Sequence, residues 1–141
     1  VNLSSAEIVA ALGAEVLAEG PADPPQRATI SSDEAGPGDL FFGLRGANRD
    51  GGEFATAAIE AGAWGVVVGP SFKTPFSPHS GEKGVFTREG AGGAWVFVVE
   101  DPLASMHALA RAWKRVLGAR VVGVTGSVGK TSVKDIARAL L

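Results

Sequence analysis

The sequence predicts an α/β fold: a small αβ amino-terminal domain, then the opening strand, loop and helix of a second domain of the parallel doubly wound kind. Three observations predict it. Short runs rich in β-branched and aromatic residues recur as ATI (28–30), LFFGL (40–44), WGVVV (64–68), WVFVV (95–99) and RVVGV (120–124), which is how buried strands read. Segments with helical spacing fill most of the intervals between them. A glycine-rich stretch, TGSVGKTS, joins the last apolar run to a terminal amphipathic segment. With 141 residues, 45% of them hydrophobic and 20% charged, the chain can bury one good core or two small ones. The division is expected near residue 100, with 1–100 as the first domain and 101–141 as the start of the second.

Taken in order, residues 4 to 19 read as one helix. Ser4 followed by Glu7 fits a capping box, Ile8, Leu12 and Val16 recur at helical spacing, and Gly20 ends the segment. GPADPPQ (20–26) is a rigid turn or linker. The strand candidates ATI and LFFGL are separated by SSDEAGPGD, which is loop chemistry. After the loop RGANRDGG, residues 53 to 62 look helical through Phe54, Ala57, Ala58 and Ile59, and WGVVV follows as a buried strand. Residues 70 to 93 hold no sustained period and read as a long surface excursion with a small hairpin near GVFTRE. WVFVV is the next strand. Asp101-Pro102 supplies an N-cap and a first-turn proline, and the helix runs to about Leu117 with Leu103, Met106, Leu109, Ala110 and Trp113 on one face. Gly118 closes it. RVVGV is the last strand, and 130–141 the last helix, with Val133, Ile136, Ala137 and Leu140 on one face. No internal repeat is present.

Composition excludes several function classes. The formal net charge is −2 with no cluster of Lys and Arg, so no nucleic-acid surface is expected. There is no cysteine, hence no disulfide and no thiolate metal site. No apolar run approaches the roughly 20 residues a membrane helix needs. The first residues lack the basic start of a signal peptide, and a cytoplasmic location is expected. The chain starts at Val1 and stops at Leu141, shortly after the glycine-rich loop, so it is expected to be a piece of something longer.

The stretch VVGVTGSVGKTSVKD (121–135) carries the chemistry. The common nucleotide loop, G-x-x-x-x-G-K-[ST], would need a glycine at position 124, which is Val124. The mechanical requirements are met all the same. Val121, Val122 and Val124 deliver an apolar approach. Gly126 and Gly129 let backbone N–H groups turn toward phosphate oxygens. A helix begins at the loop, so its unpaired N–H groups and positive dipole end face an anion. Lys130 is in register to reach terminal phosphates, and Thr131 to hold magnesium with its hydroxyl. The loop enters through Thr125-Gly126, unlike that of a generic kinase or NTPase.

TGSVGKTSVKD resembles the ATP loop of the Mur ligase family, whose pattern is TG-x-x-GK-[ST]-[ST]. The serine-valine filling, with Lys134 and an acidic residue after it, is most similar to the branch that adds D-alanyl-D-alanine; the tripeptide-forming branch more often has threonine-asparagine there. PGDLFFGLRGANRDGGEFATAAIEAGAWGVVV resembles the amino-terminal domain of the same enzymes through Gly38, Asp39, Leu40, Phe41, Asp50, Gly51 and Phe54. Two departures stand out. The family's Asp-Ser/Thr-Arg tripeptide ahead of PGD is replaced by ISSDEAGPGD, and Gly52 stands where a histidine is common. Residues 70 to 93 are also longer than the family's usual link.

The resemblance implies an ATP-dependent amide ligase of peptidoglycan precursor synthesis, joining UDP-N-acetylmuramoyl-tripeptide to D-alanyl-D-alanine through an acyl phosphate. ATP and Mg2+ would be held by Thr125, Gly126, Ser127, Val128, Gly129, Lys130, Thr131 and Ser132. Lys130 and Thr131 would be catalytic, Thr131 as the metal ligand. The uridine nucleotide would meet Ser31, Ser32, Gly46, Asn48, Arg49 and Asp50. The whole enzyme is expected to be a monomer, and this stretch alone inactive. Alternatives are the tripeptide-forming branch, another P-loop NTPase or kinase, and a non-catalytic binding module. Arg45 and Arg49, flanking Gly46-Ala47-Asn48, are placed to meet a diphosphate, and blander roles compete at single residues: Asp39 and Asp50 as Asx turns, Ser31 and Ser32 as backbone caps, Arg45 and Arg49 as solvated charges. Trp64, Trp95 and Trp113 are expected in packing, and neither His79 nor His107 has a partner at ligand spacing.

Overall fold

The computed structural model describes residues 3–46, 49–73, 91–118 and 123–140. Five strands form one sheet in the order β1-β5-β4-β3-β2. They are β1 (Glu15–Ala18), β2 (Arg27–Thr29), β3 (Asp39–Phe42), β4 (Gly65–Val68) and β5 (Trp95–Val98). β2, β3, β4 and β5 run parallel, and β1 closes one edge antiparallel to β5. The helices are α1 (Ser5–Leu12), α2 (Ala55–Glu60), α3 (Pro102–Leu117) and α4 (Lys130–Leu140).

Alternation along the strands sends side chains to two cores, one on each face. Phe41, Val66, Val68, Val96 and Val98 point to one side, where they meet Ala55 and Ala58 of α2. Leu40, Phe42, Val67 and Phe97 point to the other, where Ile8 and Leu12 of α1 and Leu109 of α3 cover them. Covered on both faces, β3 and β4 are buried along their whole length, which explains why they read as unbroken apolar runs rather than alternating ones.

The helix expected over 4–19 is corrected. The capping box forms as read, with Ser4 Oγ accepting from Glu7 N–H and the Glu7 carboxylate accepting from Ser4 N–H. The helix ends at Leu12, because Gly13 takes a left-handed conformation at φ 61° and returns its N–H to Val9. Residues 15–18 then pair with β5, with a bulge between Val16 and Ala18. Val16 does fall at helical spacing, but pairing with a strand eighty residues away overrides local periodicity. Part of the helix expected over 53–62 is likewise a 3₁₀ turn, Gly51–Phe54, before α2.

α3 starts and stops as read: Asp101 Oδ1 accepts from Leu103 and Ala104 N–H, and Gly118 is left-handed. Of its expected face, Met106, Leu109 and Trp113 pack on the core that α1 covers, while Leu103 and Ala110 do not. Pro102, Ser105 and Leu109 are buried, whereas Leu103 is 46% exposed and Ala110 is exposed. Ser105 Oγ donates to the Leu12 carbonyl, which ties α3 to the end of α1. The helix that begins the expected second segment therefore packs on the first body.

All three tryptophans are packing residues, as expected, with Trp113 partly buried against the core under α1 and α3. Trp64, Trp95 and Phe97 stack with centroids 5.5 to 6.1 Å apart. The indole N–H groups donate to the carbonyls of Asp23 and Pro21, strapping the proline-rich 20–26 segment to the sheet. The expected hairpin near GVFTRE, and His79 with it, lies outside the described residues. Residues 119–122 do too. Gly123 and Val124 after them have irregular backbone, so the strand expected over 120–124 does not extend through its last two positions.

Candidate functional site

Two loops carry the candidate chemistry. The first lies at the carboxyl edge of the sheet. The connection after β3 runs to the α2 face and Phe72, just after β4, packs there too, while β5 hands over to α3 on the opposite face. Connections that diverge in this way leave a crevice beyond the strand ends, the usual ligand position in open α/β sheets. A cleft of about 490 Å³ opens there, lined by Gly43 and Arg45 after β3, Asp50, residues 69–71 after β4 and residues 100–102 after β5.

The wall after β3 is built by close backbone approach. Gly51 N–H donates to the Leu44 carbonyl at 2.9 Å and Gly46 N–H to the Arg49 carbonyl at 2.9 Å. A Cβ on Gly51 would fall 2.4 Å from the Leu44 carbonyl oxygen, and one on Gly43 would fall 2.8 Å from Gly52 N. Asp50 makes an Asx turn: one oxygen accepts from Gly52 N–H at 3.0 Å, and the other accepts from Ser71 Oγ at 2.9 Å. That second bond pins the loop to the end of β4. The Arg49 guanidinium lies 5.6 Å over the Phe54 ring.

Ser31 and Ser32 stand beyond the end of edge strand β2. Ser31 N–H donates to Thr29 Oγ1 at 3.2 Å, and neither serine's side chain caps the 3₁₀ turn Ser32–Glu34. Asp39 is not an Asx turn. It is buried at the start of β3, takes a two-pronged bond from Arg27 (Nε to Oδ1 3.0 Å, Nη2 to Oδ2 2.7 Å), and accepts from Gly36 N–H. The Arg27 bonds hold the Asp39 carboxyl below the usual carboxylate range, with the Gly36 bond adding to them. Arg27 Nη2 also reaches the Glu34 carbonyl at 2.8 Å, fixing the return leg of the serine loop.

Of the sequence-predicted substrate residues, Asp50 lines the cleft; Ser31, Ser32, Gly46 and Arg49 belong to neighbouring loops without lining it, and Asn48 lies outside the described residues. Residues 69–71 and 100–102 were not read from the sequence as site residues, Asp101-Pro102 only as a helix start. Their one signal is position, immediately after each parallel strand.

The second loop is 125–132. Gly126 and Gly129 have φ of 149° and 83°, and the helix starts at Lys130, with Val133 N–H donating to the Gly129 carbonyl at 3.0 Å. The Lys130 ammonium folds back onto the Gly126 carbonyl, closing the loop on itself. All eight residues, Thr125 to Ser132, are exposed, Val128 to 90%. The free N–H groups of the first turn of α4, an ammonium and the hydroxyls of Thr131 and Ser132 are a donor set for phosphate oxygens. Among the described residues no group of three His, Cys, Asp or Glu could hold a metal. A single hydroxyl such as Thr131 fits magnesium, which keeps several waters and shares phosphate ligands. No helix among the described residues is long and apolar enough to cross a membrane.

No protein-family model matches the chain. It is 37% identical over 102 residues to the UDP-N-acetylmuramoyl-tripeptide--D-alanyl-D-alanine ligase of Bacillus subtilis, a match covering 72% of this chain and 19% of that protein. Against the ligase of the same name from Mycobacterium leprae it is 31% identical over 159 residues, covering all of this chain and 29% of the relative. Over the stretch it covers, the chain belongs to the Mur ligase family. It is most like the D-alanyl-D-alanine ligases. It is also 36% identical over 128 residues, 85% of its length and 22% of the relative's, to the UDP-N-acetylmuramoyl-L-alanyl-D-glutamate--2,6-diaminopimelate ligase of Parasynechococcus marenigrum. This Mur ligase chain thus spans 19% to 29% of the length of these relatives.

Proposed function

We propose that this chain is the amino-terminal part of an ATP-dependent amide ligase that adds D-alanyl-D-alanine to UDP-N-acetylmuramoyl-tripeptide, releasing ADP and phosphate. Residues 1–100 form its uridine-nucleotide domain and residues 101–141 open its ATP-binding domain, in a cytoplasmic enzyme that works as a monomer. The loop 125–132 carries this reading: two glycines at positive φ, a lysine and a hydroxyl at the start of α4, in a sequence whose full length aligns with a ligase of that name.

The reaction is phosphoryl transfer followed by acyl transfer. A carboxylate oxygen of the tripeptide attacks the γ-phosphorus and the bond to ADP breaks; the amine of the dipeptide then attacks the activated carbonyl, loses its proton, and phosphate leaves. Little covalent chemistry falls to the protein, so positioning and charge stabilisation dominate. The N–H groups of residues 126–129 cradle the phosphates. Lys130 exchanges its bond to the Gly126 carbonyl for the β- and γ-phosphate oxygens. Thr131 would hold magnesium, which supplies charge neutralisation on the phosphates, and Ser132 stands at the helix start beside them. Ser31, Ser32, Gly46, Asn48, Arg49 and Asp50 hold the uridine nucleotide at the carboxyl edge of the sheet. Without the remainder of the ATP-binding domain, this stretch alone does not turn over.

The full-length protein is to be incubated with ATP–magnesium, UDP-N-acetylmuramoyl-tripeptide and D-alanyl-D-alanine, with ADP release and product mass followed. Pentapeptide product is expected. The second reading, addition of diaminopimelate to the muramoyl-dipeptide, is favoured by the match to the ligase of that name; product only with that pair would replace the first reading.

A further inference from the structure

The strand-end cleft holds four charged side chains, and two of them are committed to the fold. Asp50 is taken up by Gly52 N–H and Ser71 Oγ, and Asp101 by the first turn of α3. Arg45, after β3, and Glu100, after β5, line the same cleft. Both are exposed, and neither side chain has a hydrogen bond or ion pair with any other described residue. Opposite charges across a cleft that do not satisfy each other suit a ligand carrying both an anion and a set of hydrogen-bond donors.

We propose that Glu100 is the sugar-reading residue of this cleft, accepting hydrogen bonds from the vicinal hydroxyls of a ribose while Arg45 meets the attached phosphate. This rests on the uridine-nucleotide reading above. The position has a physical precedent: in doubly wound folds, an acidic side chain at the end of a parallel strand takes the ribose hydroxyls of a nucleotide bound across the strand ends. Glu100 stands two residues past the end of β5. A carboxylate is an acceptor only and takes both hydroxyls of a diol. It would repel a diphosphate laid against it, so the phosphates fall to the β3 side, where Arg45 lies. Gly43 and Gly69 leave the floor of the cleft without side chains between the two.

The test is calorimetric titration of the chain with UDP and with 2′-deoxy-UDP, for the native protein and for Glu100→Gln and Arg45→Ala. The native chain is expected to prefer UDP by about tenfold, the value of one charge-assisted hydrogen bond. Glu100→Gln should lose most of that preference while binding 2′-deoxy-UDP as the native chain does. Arg45→Ala should weaken both ligands equally and keep the preference. UDP binding with no preference for the ribose, or a preference that survives Glu100→Gln, overturns the assignment and leaves the nucleotide reading standing. No binding of either ligand overturns both. Unchanged circular dichroism and unfolding midpoint in the variants exclude loss of fold as the cause.

Discussion

The two glycine-rich loops use glycine for opposite reasons. In the loop after β3, Gly43 and Gly51 are needed because backbone lies against backbone; a Cβ there would fall within 2.4 to 2.9 Å of main-chain atoms. In the 125–132 loop, Gly129 has nothing within 4 Å, and the requirement is conformational, at φ 83°. The first loop is filled by the protein itself and is part of the fold. The second is open to solvent, and its N–H groups and lysine are left for a ligand. The apolar side chains repeat the contrast: Val66, Val67 and Val68 of β4 are fully buried, while Val133 and Ile136 of α4 are 49% and 61% exposed.

Substitutions in the two loops should therefore have different consequences. Lys130→Ala in the full-length enzyme should lower turnover by about a thousandfold, the scale for removing a preorganised charge at a transition state. It should leave the unfolding midpoint of the 141-residue chain unchanged; near-normal turnover would remove the loop from the chemistry. Gly51→Ala should destabilise the chain by about 3 kcal/mol in urea titration, since main-chain atoms of Leu44 must move. Gly129→Ala should cost about 1 kcal/mol of local strain, hardly visible in global unfolding, and should instead weaken ATP binding. If both alanines acted alike, the distinction between a filled loop and an open one would fail.

Asp39→Asn should destabilise the chain measurably, because it removes the charge from a buried carboxylate in a two-pronged bond; solvent around Arg27, whose side chain is 55% exposed, limits the loss. The sign of its pH dependence is set by the lowered pKa. The carboxylate's contribution is complete above its unfolded pKa of about 4 and is lost as pH falls through the lower folded value. The stability gap between native and Asp39→Asn chains should therefore close on acidification from pH 6 to pH 2. A gap that is constant with pH would mean that Arg27 does not stabilise the ionised form.

Strands β3 to β5 were legible because burial on both faces writes itself as a continuous apolar run, and α3 because Asp101-Pro102 and Gly118 mark its ends chemically; edge strand β2, exposed at Arg27 and Ala28, gave only the short ATI run, one residue out of register. β1 was not. Ile8, Leu12 and Val16 keep helical spacing through Gly13, and only the distant pairing of Glu15 with Val98 makes residues 15–18 a strand. The phosphate loop is local, eight consecutive residues, and could be read as such. The cleft is not local: Arg45, Ser71 and Glu100 line it together because three parallel strands end side by side, and no spacing within the sequence announces it. Arg27 was missed for the same reason, since its place opposite Asp39 follows from the β2–β3 register.

The proposed division gives one ligand to the strand-end cleft and another to the 125–132 loop. It is tested most directly by backbone amide NMR of the labelled chain, titrated separately with UDP-N-acetylmuramoyl-tripeptide and with ATP–magnesium. Two separate sets of shifts are expected: Gly43, Arg45, Asp50, Gly69, Ser71 and Glu100 with the muramoyl nucleotide, and residues 125–132 with ATP. Both ligands shifting the same residues, or the muramoyl nucleotide leaving the strand-end cleft untouched, would contradict it.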